Sequence, residues 1–171
     1  MTIDKNLIII SLVTVIVGGF FALYQWNFSN KLKRAEYINQ IIEKLRFDKE
    51  MAQTMYKIDY GIPFYNKDFH NGNSELEFAI DKLLSYLSYI CYLKRTRNIS
   101  IKEFNVLHYE IIRVCSSFEI QAYLWNLYHF SKKCNTKCSF EYLTSYGIDN
   151  NIFPKDFTDI NNSMYPKNLN F

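Results

Sequence analysis

His108, Glu110 and Arg113 stand together in FNVLHYEIIRV and are the first residues whose types suggest chemistry. A histidine and a carboxylate act as acid and base when they converge on one reacting group. Residues two apart on a helix point in different directions, so a nuclease-like centre here needs partners from elsewhere in the chain. His129, Cys134 and Cys138 form H-x4-C-x3-C. A structural zinc takes four ligands, and neither Cys115 nor His108 stands in a ligand-like pair to complete the set. No nucleophile elbow, H-E-x-x-H, Walker loop or dinucleotide fingerprint occurs. The expectation is a non-enzyme without metal or cofactor, whose four cysteines are idle or buried thiols.

Two further groups suggest binding. The run LKRTRN carries Arg95 and Arg97, which with Arg113 are candidate contacts for an anion. The same charges also suit the negative end of a helix dipole. Residues 59–73, DYGIPFYNKDFHNGN, gather aromatic and charged side chains, with Tyr65 and His70 the candidate partner contacts. Aromatics that fold back over a core are the commoner use of such a stretch.

The elements that must position these residues are helical. The chain has 171 residues, 14 Tyr and 14 Phe, but only 5 Gly and 3 Pro, too few turn formers for a sandwich or barrel. A net charge of +3 with both signs interspersed is small for a nucleic-acid binder, so nucleic acid is not an expected partner.

Residues 7–26, LIIISLVTVIVGGFFALYQW, contain no charge. About 20 helical residues span the roughly 30 Å hydrocarbon core of a bilayer. The apolar run exceeds a signal-peptide core and no A-x-A-like site follows it, so an uncleaved anchor is expected. Lys31, Lys33 and Arg34 follow the span, against Lys5 before it. The positive-inside rule then places the larger part in the cytoplasm, at a bacterial inner membrane. Thr14, Gly18 and Ala22 recur every four residues, a small-residue face on which two such helices can associate into a homo-oligomer.

From Asn30 to about Ile58 the apolar residues recur at three and four, predicting one amphipathic helix continuous with the anchor. Capping boxes at Ser74/Glu77 and Ser100/Glu103 start two more. A fourth helix follows Ser116–Ser117, and a short one covers about 140–146 before Gly147. The expected organisation is an anchor over 1–29, a cytoplasmic helical domain over 30–147, and a loosely ordered tail over 148–171. The fold class is all-α: a transmembrane helix followed by an antiparallel helical bundle.

Three stretches, KRAEYINQIIEKLRFDKEMAQ, ELEFAIDKLLSYLSYICYLKRTRNISIKEF and YLWNLYHF, follow the plan of a known group. In them the chain resembles an uncharacterised family of small bacterial single-pass membrane proteins with a cytoplasmic helical domain. The resemblance implies the architecture and carries no activity or site residues. The expected function is a membrane-anchored module that binds another protein, by architectural analogy in a stress or phage-defence system. The alternative is a ligand-gated effector that oligomerises and perturbs the membrane.

Overall fold

The computed structural model describes residues 5–62 and 75–169, with side chains from residue 11 onward. Six helices and no strand occur among the described residues: α1 (Lys5–Arg46), α2 (Lys49–Asp59), α3 (Glu75–Arg95), α4 (Ile101–Cys115), α5 (Phe118–Lys133) and α6 (Glu141–Asp149). The chain divides into two units, Met1–Glu43 and Lys44–Phe171.

The first unit belongs to α1. From Ser11 this helix is long and apolar enough to cross a membrane, and its apolar window has no buried side chain. Leu12, Val15, Phe20, Phe21 and Trp26 are all exposed.

The second unit is a bundle whose core follows the helical repeat. Met51, Met55 and Ile58 of α2, Leu83, Leu84, Leu87, Ile90 and Cys91 of α3, and Phe104, Leu107, Ile111 and Val114 of α4 are buried at steps of three and four. Helix α3 packs on α2, α4 and α6, and α5 packs on α4 and α6. Residues 120–126 of α5 are buried without interruption, so this helix is covered on every side.

Three local features depart from the sequence expectations. The helix expected from Asn30 to Ile58 breaks at Phe47, because the Asp48 carboxylate accepts from the Met51 N–H at 3.0 Å and caps a new helix. Helix α6 does not stop before Gly147 but runs through it to Asp149. The segment expected to be a loose tail is docked: Phe153, Phe157, Asn162 and Tyr165 are buried. The Ser100/Glu103 capping box is present, with reciprocal bonds of 2.6 and 3.3 Å. The Ser74 box and the 63–74 part of the aromatic loop lie outside the described residues.

Four helices end alike. Gly61, Arg97, Asn135 and Asn151 each adopt positive φ one residue beyond the C-cap. In each case the next N–H returns to a carbonyl five residues back, as Asn98 does to Leu93 at 2.9 Å. These are Schellman closures, and Arg97 takes the position that glycine fills without strain. Arg97→Gly is expected to raise stability by about 0.5–1 kcal/mol, less than the full left-handed penalty because glycine also loosens the unfolded chain. Urea unfolding of the two proteins checks this; an unchanged or lower midpoint would show that the arginine makes a compensating interaction.

Candidate functional site

The basic turn sits over aromatic rings. The Lys94 ammonium lies 4.5 Å from the Phe104 ring centroid and 4.3 Å from that of Tyr146, and the Arg95 guanidinium lies 5.8 Å from Tyr142. Cation–π contacts of this kind draw a cation toward the ring face. Cys91, Lys94, Arg95, Tyr142, Tyr146 and Asp149 line an open cleft of about 420 Å³ between α3 and α6. Its thiol is inert as a nucleophile, because burial pushes the Cys91 thiol up to about 12. Burial also pushes the Tyr146 hydroxyl up to about 12.

Arg113 is elsewhere and already engaged. Its Nε donates to both Asp59 carboxylate oxygens at 2.9 Å, and Nη2 pairs with the same group. Its guanidinium lies 5.3 Å from the Tyr56 ring. The Asp59 hydrogen bond raises the arginine pKa above its ordinary value, with Tyr109 and Tyr56 adding to the effect. Arg95 and Arg97 at the end of α3 therefore share no partner with Arg113, which closes α2 against α4. Tyr65 and His70 lie outside the described residues.

The possible nuclease trio does not assemble. His108 packs its ring against Phe104 and Tyr146, with centroids 5.9 and 6.1 Å away. Glu110 is buried and accepts from Arg46 Nε at 2.7 Å, while Arg46 Nη2 donates to the Val106 carbonyl at 3.0 Å. The H-x4-C-x3-C residues separate as well: His129 stacks edgewise on Trp125 at 4.8 Å, Cys134 is exposed and Cys138 is half-buried. Burial raises the Cys138 thiol and lowers His129. Among the described residues no three His, Cys, Asp or Glu side chains converge as metal ligands would.

Around the Asp59–Arg113 pair the surface is aromatic. Tyr56, Tyr60 and Tyr109 are 56%, 78% and 70% exposed. Val106 and Ile112, three residues to either side of Tyr109 on α4, are exposed too. Tyr60 and Asp59 open the aromatic stretch 59–73 that the sequence points to, whereas Tyr56 carries no signal of its own because it occupies an outward position of an amphipathic helix. Their relation to Arg113 depends on an ion pair spanning 54 residues.

Thr14, Gly18 and Ala22 lie on α1 and are exposed, and a side chain added at Gly18 would meet nothing within 4 Å.

The fold and site define an all-α protein with one long apolar amino-terminal helix and a compact helical bundle carrying an aromatic, arginine-centred surface. Comparison of the chain with family models, curated proteins and solved structures finds no match.

Proposed function

We propose that this protein is a helical interaction module anchored by α1 in the bacterial inner membrane, with its bundle on the cytoplasmic side, and that it binds another protein through the α2–α4 surface. The anchor reading draws support from the wholly exposed apolar window of α1. A core helix of a soluble protein would be buried, and a cleaved signal would not be expected to continue as one helix to Arg46. The basic residues Lys31, Lys33 and Arg34 after the span favour the cytoplasmic side.

The observation that carries the binding assignment is the exposed pair Tyr56 and Tyr109 beside a fixed arginine, with exposed Tyr60 next in the chain to its partner Asp59. Tyrosine and arginine are enriched where protein partners meet, and tyrosine offers large contact area at small entropic cost. The Asp59 fork holds Arg113 in place before a partner arrives, which lowers the ordering cost of binding.

The test replaces Tyr109 by a photo-crosslinking amino acid in native membranes, with exposed Lys155 as the control position. One discrete adduct from position 109, absent from 155 and lost when Tyr56 and Tyr60 are alanine, is expected. No adduct, or the same ladder from both positions, contradicts the assignment. A second reading, the ligand-gated effector, is favoured only by the open cleft beneath Lys94 and Arg95. It requires self-association, so an adduct of twice the chain mass, lost in Gly18→Leu, would favour it instead.

A further inference from the structure

The segment 150–169 crosses α5 as an irregular strap, and α5 meets it with polar side chains. Asn126 donates from Nδ2 to the Pro166 carbonyl at 2.9 Å and accepts at Oδ1 from the Asn168 and Leu169 N–H groups at 2.8 and 3.2 Å. Trp125 Nε1 donates to the Asp159 carbonyl at 3.2 Å, and Gln121 Oε1 accepts from the Tyr165 hydroxyl at 2.8 Å. Most of these bonds reach the strap's backbone and are blind to its side chains. Selectivity rests on rings: Phe157 packs on Phe153 and Tyr128, and Tyr165 on Trp125 and Phe118.

Together these are the parts of a peptide-binding groove: side-chain donors and acceptors that hold an extended backbone, with aromatic sites that select its residues. A helix face meant to stay covered is normally apolar. The α5 face under the strap sets Gln121, Asn126 and His129 among its rings Phe118, Trp125 and Tyr128, and these polar groups are ones that water can satisfy when the strap leaves. The strap itself contributes no helix beyond Asp149. Its internal backbone bonds are isolated short turns, such as Phe157 to Pro154 at 3.0 Å and Asp159 to Asp156 at 2.9 Å. Segments of this kind open locally at lower free energy than the helices beneath them. Release of the strap alone would need a pivot at the Asn150–Asn151 closure of α6, where the helix already ends and Asn151 has positive φ.

We propose that the α5 face is a peptide-binding groove and that residues 150–169 are its resident, releasable occupant. The competing ligand is an extended segment of another protein with the chemistry Phe-x3-Phe-x7-Tyr-Pro, the spacing of Phe153, Phe157, Tyr165 and Pro166. Binding would then be coupled to displacement of the strap, so the module is self-occluded until such a segment arrives. This holds whether or not the α2–α4 surface takes a partner.

The test uses the full chain in detergent and a labelled synthetic peptide of residues 150–169. The wild type is expected to take up the peptide weakly, because its own strap competes. Phe157→Ala, which loosens the strap while leaving every α5 residue in place, is expected to bind it at least tenfold more tightly, and adding Asn126→Ala is expected to abolish that gain. A folded Phe157→Ala protein that binds no peptide, or binds a scrambled one equally well, would overturn the proposal. Hydrogen exchange of the wild type gives an independent arm. The Asn168 and Leu169 amides are expected to exchange at least a hundredfold faster than those of central α5, and exchange at the same rate would show that the strap does not release.

Discussion

Replacing Arg46 by alanine is expected to cost the bundle about 2–3 kcal/mol. The Glu110 side chain is only 7% exposed, and one of its oxygens already lacks a hydrogen-bond partner. Arg46 supplies the bond to the other oxygen and also bonds the Val106 carbonyl, tying the last turn of α1 to α4. Without it, a buried carboxylate keeps no compensating charge. The arginine itself is 41% exposed, so water enters the gap and the loss falls below that of a fully enclosed pair. For a unit of this size the melting temperature should fall by roughly 10 °C. Glu110→Gln removes the charge that needs neutralising, so in that background Arg46→Ala should cost under about 1 kcal/mol. Equal costs in the two backgrounds would mean that the pair contributes nothing beyond packing.

Gly147→Ala is expected to destabilise the protein although it places a better helix former inside α6. Alanine in a helix interior gains about 1 kcal/mol over glycine. A Cβ at this position would lie 2.3 Å from Phe153 Cε2 and 2.4 Å from Cζ, well inside contact distance. The Phe153 ring must move, losing burial worth about 2–3 kcal/mol and pulling on the strap beyond it. The Ile152 and Phe153 N–H groups both bond the Gly147 carbonyl, at 2.9 and 3.2 Å, so the backbone offers little room to yield. A net loss of about 1–2 kcal/mol follows, the ring's lost burial less the helix gain. Combining the change with Phe153→Leu should shrink the penalty. A stabilised Gly147→Ala protein, measured by urea unfolding, would mean that Phe153 does not rest on the glycine.

Much of the bundle was legible because its helices bury one stripe at a time. Leu83, Leu84, Leu87 and Ile90 declare α3 by spacing alone, and Ser100 with Glu103 marks where α4 begins. The break at Phe47–Asp48 leaves only a faint trace in the sequence, a six-residue step from Leu45 to Met51 in a series otherwise spaced at three and four, and the Asp48 cap makes the stop plain. Gly147 has the look of a helix terminator in the sequence, yet its missing side chain serves a ring six residues on. The strap was invisible for a related reason. Its aromatic anchors have no repeat, and their partners on α5 lie about 40 residues away, as with Tyr165 and Gln121.

The candidate site was less legible than the fold. Sequence proximity suggested that Arg113 was available to a ligand, whereas Asp59 occupies it. The lysine and arginine of the α3 terminus are drawn onto the rings of Tyr146 and Tyr142. Charge can be counted from a sequence, but its pairing depends on contacts that only the fold makes.

The central claim, a bundle held by α1 at the cytoplasmic face of a membrane, is tested most directly through Cys134, the one exposed thiol among the described cysteines. A membrane-impermeant maleimide should leave the protein unlabelled in intact spheroplasts and label Cys134 in inverted membrane vesicles, with the chain still in the pellet after an alkaline carbonate wash. Labelling in intact spheroplasts, or release of the chain into the carbonate supernatant, would contradict the account.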